Sequence, residues 1–120
     1  MEDVTKIYLS GPISGRREKD VAKHFNRVKW LLQYEALKAQ ANVMIISPAA
    51  ISGLGLEWDS YMKIAQAIIE DPTLDAICLM KGWERSEGCK QELTLAMAKN
   101  LPIIFEPGAS EDIRLQEGDE

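Results

Sequence analysis

The sequence predicts the α/β class, a mostly parallel sheet with helices on both faces. Four short apolar runs alternate with stretches of helical periodicity, the order that right-handed strand–helix–strand crossovers require. The runs are near-continuously apolar, as strands buried on both faces are. The length of 120 residues holds one compact domain.

The first strand is Lys6–Ser10 (KIYLS), closed by Gly11-Pro12. A long helix follows from about Arg17 to Gln40. Val21, Phe25, Val28 and Leu32 recur on one face, and Lys19, Lys23, Arg27 and Lys29 lie mostly opposite. Asn42–Ser47 (NVMIIS) is a second strand, stopped by Pro48, and Pro48–Gly55 is a loop rich in small residues. Glu57–Glu70 is a second helix, ending before Asp71-Pro72. Asp75–Met80 (DAICLM) is a third strand, Lys81–Gly88 a loop, Gly88–Asn100 a third helix and Leu101–Glu106 (LPIIFE) a fourth strand. A single domain over residues 1–106 and an acidic tail over 107–120 are expected.

The net charge of -5 resides in Glu106–Glu120. Up to Phe105 the chain has 13 Lys/Arg and 13 Asp/Glu, and from Glu106 onward only Arg114 opposes six acids. Without a basic stripe, a nucleic acid polymer is not an expected partner. Within the neutral body, Lys6–Lys38 is mostly basic and Glu57–Glu92 mostly acidic, so an anion and a catalytic carboxylate could be served by different parts. Most of these charges are ordinary solvated helix faces. No apolar run approaches the ~20 residues that span a bilayer, and MEDVTK has no signal-peptide core. Cys78 and Cys89 have neither zinc-site nor redox-pair spacing, so no metal, no cofactor, no membrane partner and a cytoplasmic location are expected.

Parallel sheets bind ligands beyond the carboxyl ends of their strands. There the first loop reads Ser10-Gly11-Pro12-Ile13-Ser14-Gly15-Arg16-Arg17 and runs into a helix. Glycines admit an anion to backbone N–H groups, a helix N-terminus attracts it and arginines pair with it. The same pattern also makes a plain turn, and it is neither a Walker A loop nor a GxGxxG fingerprint. After the third strand comes Gly82-Trp83-Glu84-Arg85-Ser86-Glu87-Gly88-Cys89-Lys90-Gln91-Glu92. Glu92 falls in the first turns of a helix beside the expected cleft. It is a nucleophile or electrostatic stabiliser for an oxocarbenium-like sugar centre, or else a solvent-facing acid favoured by the helix dipole. Cys89 at a helix start would favour a thiolate, but no histidine is placed to act as its base. Trp58, Tyr61 and Trp83 flank the loops, where aromatics stack on a base or cap the sheet. His24, at a polar position of the first helix, is assigned no role.

In order and spacing, KIYLSGPISG, FN in the first helix, SPA, W-x-x-YM, DAICLM, GWE-x-S-x-G-x-x-x-E and LPII resemble one known group. This is the nucleoside 2-deoxyribosyltransferase-like superfamily, in particular its small phage and bacterial branch, which is similar to nucleoside 5′-monophosphate N-glycosidases. The resemblance spans about Lys6 to Phe105. It implies a flavodoxin-like or Rossmann-like three-layer sandwich with a four- to five-stranded parallel sheet.

The same resemblance implies cleavage, by hydrolysis or transfer, of the N-glycosidic bond of a nucleoside 5′-monophosphate or deoxynucleoside. Glu92 stands at the place of the nucleophile and Tyr8 at that of its positioning tyrosine. Gly11, Ser14, Gly15, Arg16 and Ser86 match the phosphate-holding places, and Ser86 favours the nucleotide-type members. Trp58, Asp59, Trp83 and Gly88 complete the expected substrate contacts. Superfamily members commonly pair, so a homo-oligomer is expected, with a small-molecule nucleoside or nucleotide as ligand. The family's usual aspartate one turn beyond Tyr61-Met62 is replaced by Ala65. A non-catalytic nucleotide binder on the same scaffold is therefore the alternative, and a structural protein that keeps only the fold is a third.

Overall fold

In the computed structural model, residues 3–48 and 57–113 are described. Four strands form one parallel sheet: β1 (Val4–Ser10), β2 (Asn42–Ile46), β3 (Ala76–Leu79) and β4 (Ile103–Phe105). Among the described residues three helices connect them: α1 (Glu18–Lys38), α2 (Trp58–Glu70) and α3 (Glu87–Ala98). The strand order is β2-β1-β3-β4, with Ile7 opposite both Ile45 and Ala76, and Ile77 opposite Ile103. The chain steps from β1 outward to β2, then returns across β1 to β3. The sheet therefore reverses direction between β1 and β3, and the crevice beyond their carboxyl ends is the place for a ligand.

Alternation along the strands sorts side chains into two cores. Ile7, Leu9, Ala76, Cys78 and Met80 face α1, meeting Val21, Phe25 and Val28. Tyr8, Ile77 and Leu79 face the other way, toward Ala65 and Ile69 of α2 and Leu93 and Ala96 of α3. The result is a three-layer α/β/α domain of the flavodoxin-like kind. Burying Phe25 or Leu93 contributes roughly 1.5–3 kcal/mol each. On the outer side of α1, Trp30, Tyr34 and Leu37 stay exposed along one helical stripe.

Local chemistry sets the ends. Pro12 cannot continue the ladder of β1, although Met80 N–H still donates to Ser10 O at 2.9 Å beyond it. Glu18 and Asp20 sit in the first turn of α1, where the helix dipole favours acids. α2 stops before Pro72, and Asp71 Oδ1 takes the Thr73 N–H at 2.7 Å.

Most element ends differ from the sequence reading by one or two residues, and β4 spans Ile103–Phe105 rather than the expected Leu101–Glu106. β1 begins at Val4, because Val4 and Thr5 pair with Asn42 and Val43. The loop after β3 contains a 3₁₀ turn at Trp83–Arg85. α3 begins at Glu87, capped by Ser86, whose Oγ accepts the Cys89 N–H at 3.2 Å. Most of the loop expected at Pro48–Gly55 lies outside the described residues. Residues 107–113 return over the α2 and α3 core, where Ala109 and Ile113 pack and the Trp83 indole donates to Ser110 O at 2.7 Å.

Candidate active site

Glu92 is one turn beyond Gly88 on α3, and its side chain turns inward against β1. It is only 3% exposed. Tyr8 Oη donates to Glu92 Oε2 at 2.5 Å and Ser10 Oγ donates to Oε1 at 2.7 Å. Tyr8 and Ser10 are two residues apart on one strand, so both project from the same face. A carboxylate gripped at both oxygens cannot rotate freely. Glu92 is therefore not the solvent-facing acid that a helix start would also accommodate.

Burial pushes the Glu92 carboxyl up to about 7, while the Tyr8 and Ser10 hydrogen bonds work to lower it. Tyr8 is raised well above its ordinary value, first by burial and then by the Glu92 charge and by Tyr61. Tyr61 is also raised, mainly by burial and by Glu92, and it lies within hydrogen-bonding reach of Tyr8. Tyr61 and Ser10 thus belong to the glutamate's support. The signal for Ser10 was its two-residue offset from Tyr8, whereas Tyr61 required knowing which face α2 turns inward.

The cleft above Glu92 has a volume of about 300 Å³, at the small end for ligand sites. Gly11 and Ser14 come to it from the loop after β1, Ser86 and Gly88 from the start of α3, and Trp58 and Tyr61 from α2. A Cβ at Gly11 would fall 2.7 Å from Met80 Sδ, so a larger residue there would displace the Met80 side chain. Gly15 holds a φ of 80°, which turns the loop toward α1. Ser86 Oγ accepts the Cys89 N–H as the cap of α3 and lines the cleft. The first N–H groups of α3 lack helical partners and favour an anion beside it. From Ser86 to Glu92 the helix rises about 9 Å.

Several expected site residues stand elsewhere. Arg16 lies against an adjoining cavity, its guanidinium donating to Pro12 O at 2.6 Å. Gly15 is exposed and lines no described cavity wall. Asp59 faces a separate groove on the far side of Trp58 with Lys63 and Gln66. Trp83 corrects the sequence reading, because it is fully buried in the α2 and α3 core and offers no face to a base. Trp58, 42% exposed at the cleft rim, is the aromatic that remains for stacking.

Two further expectations change. Ala65 is 2% exposed and packs in the core with Tyr8, so its small side chain leaves no gap in the cleft wall. Burial pushes the Cys89 thiol up to about 12, so the thiolate expected at a helix start does not form. Among the described residues no three His, Cys, Asp or Glu side chains gather as metal ligands, and no helix is long and apolar enough to cross a membrane. His24, given no role by its sequence position, is buried and its Nε2 lies 2.8 Å from Glu106 Oε1.

Fold and site together define a parallel α/β domain that holds a hydroxyl-clamped glutamate where its sheet changes direction. The chain belongs to the family described as a domain of unknown function, DUF4406, which matches residues 5–105. No curated protein and no solved structure matches the chain.

Proposed function

We propose that the protein cleaves the N-glycosidic bond of a nucleotide or deoxynucleoside, with Glu92 as nucleophile, as in the nucleoside 2-deoxyribosyltransferase-like superfamily that its motifs resemble. The carrying observation is the Glu92 carboxylate, buried beneath the cleft and held at both oxygens by Tyr8 and Ser10. Ser14, Ser86 and the start of α3 hold the 5′-phosphate, and Trp58 stacks on the base. An oxygen of Glu92 bonds to C1′ as the bond to the base breaks and its electron pair leaves with the base. Water, or a second base, then displaces Glu92 from C1′, so the anomeric configuration is retained overall.

The departing base needs a proton, and such assistance is worth roughly 10²–10⁴-fold. Glu92 is the sole carboxylate among the described residues lining the cleft. That observation favours a second reading, a nucleotide binder without turnover. Pairing of two copies belongs to the first reading, since a neighbour can supply an acid and α1 exposes Trp30, Tyr34 and Leu37. Sedimentation as a monomer at all concentrations contradicts that pairing.

The test is incubation with a panel of nucleoside 5′-phosphates and chromatography for free base. Release by the parent and none by Glu92→Gln supports the enzyme. Thermal stabilisation by a nucleotide with no base released supports the binder.

A further inference from the structure

Beside the cleft lies a larger cavity, of about 570 Å³, that the proposed reaction does not use. It shares Ser14, Trp58, Ser86 and Gly88 with the cleft, so the two spaces meet at the start of α3. Four cationic side chains converge on it: Arg16 from the first loop, Arg27 from α1, and Lys81 and Arg85 from the segment after β3. Against them the described wall holds one carboxylate, Glu87, whose Oε2 lies 3.6 Å from Lys90. Arg27 and Lys81 have no ion pair among the described residues, and Arg85 comes no nearer than 4.0 Å to Glu84. Four like charges around one space repel each other and concentrate a field there that an anion relieves.

The wall also holds a buried group with an unused atom. His24 is 6% exposed and gives Nε2 to Glu106, while its Nδ1 is buried with no partner among the described residues. Glu106 in turn accepts the Lys81 N–H at 2.8 Å, which fixes the segment carrying two of the cations. The cationic wall is thus anchored to the end of β4, not carried on free loops alone.

We propose that this cavity is a second anion subsite, and that the preferred ligand is a nucleoside 5′-diphosphate or longer polyphosphate. It rests on the nucleotide reading above: with the first phosphate at the start of α3, the next enters the space between Arg27, Lys81 and Arg85. Arg16, bonded to Pro12 O, still has donors for the bridging region. A monophosphate leaves this space to water.

The test measures calorimetric affinity of the Glu92→Gln protein, which holds ligand without turnover, for the mono-, di- and triphosphate of one nucleoside and for inorganic pyrophosphate. The diphosphate is expected to bind at least tenfold tighter than the monophosphate, with a steeper loss on added salt. Adding Arg27→Ala and Lys81→Ala removes that gain and leaves the monophosphate affinity unchanged. Both side chains are exposed, and an unaltered melting temperature without ligand verifies the fold.

Equal affinity for mono- and diphosphate, or a gain that survives the two substitutions, overturns the subsite. Pyrophosphate binding as tightly as the nucleoside diphosphate overturns the nucleotide as its ligand. Base release from monophosphates with no diphosphate gain defeats the subsite alone. A diphosphate gain without base release from any substrate defeats the enzyme reading alone.

Discussion

Tyr8 on β1 and Glu92 on α3 are 84 positions apart and joined by one hydrogen bond at the floor of the cleft. The bond fixes the carboxylate at the junction of sheet and helix, beneath the cleft. Both residues are buried, so the pair works in a medium that strengthens electrostatic contacts.

Activity that depends on ionised Glu92 is expected to rise with pH through about 7, the value to which burial pushes this carboxyl. Tyr8→Phe removes a hydrogen bond that lowers it, so the midpoint of the pH profile moves to higher pH. The same variant is expected to lose roughly ten- to a hundredfold in kcat, the worth of a hydrogen bond to a charged group. A kcat–pH series on the parent, Tyr8→Phe and Ser10→Ala measures both effects.

Glu92 also makes stability depend on pH. A carboxyl raised from 4.5 to about 7 binds its proton more tightly in the folded chain. Stability is therefore lost as pH rises from the unfolded value to the folded one, by about 3 kcal/mol in all. Glu92→Gln has no such titration. Its melting temperature is expected to exceed the parent's near neutrality and above, with the advantage shrinking toward acid pH in parallel thermal scans.

The two tryptophans after the loops are expected to behave oppositely. Trp83→Ala empties a fully buried site and should destabilise by roughly 3–5 kcal/mol in denaturant titrations. Trp58→Ala, at the rim, should leave the denaturation midpoint nearly unchanged and raise KM.

Restoring an acid at position 65 is expected to fail as a rescue. Ala65→Asp places a carboxylate inside the core that contains Tyr8 and Ile69, at a cost of roughly 3–5 kcal/mol if it stays charged and unpaired. A lower melting temperature without faster base release is the expected outcome. A gain in rate at unchanged stability contradicts the burial of this position.

The sequence was most legible where local pattern and fold agree. The apolar runs of β1 and β3 marked buried parallel strands, and Gly11-Pro12 marked where the first ends. Glu92 was legible as a residue of the cleft because it falls in the first turns of the helix that follows β3. What escaped depends on pairings between distant segments. His24 looked polar by helical phase, yet Glu106, 82 positions away, reaches beneath it and makes its burial tolerable. Trp83 looked like a loop aromatic, but the 3₁₀ turn that carries it tips the ring into the core beneath Ser110. Ala65 was read as standing where the superfamily's aspartate would be, but its place in the core beside Tyr8 depends on which face α2 turns inward, which spacing alone does not give.

The most direct measurement is the mass of the intact protein, and of its peptides, quenched in acid during turnover of a nucleoside 5′-phosphate. Nucleophilic attack by Glu92 gives a sugar-phosphate adduct on the peptide containing that residue, absent from Glu92→Gln. Release of base at full rate by Glu92→Gln, or an adduct on another residue, contradicts it.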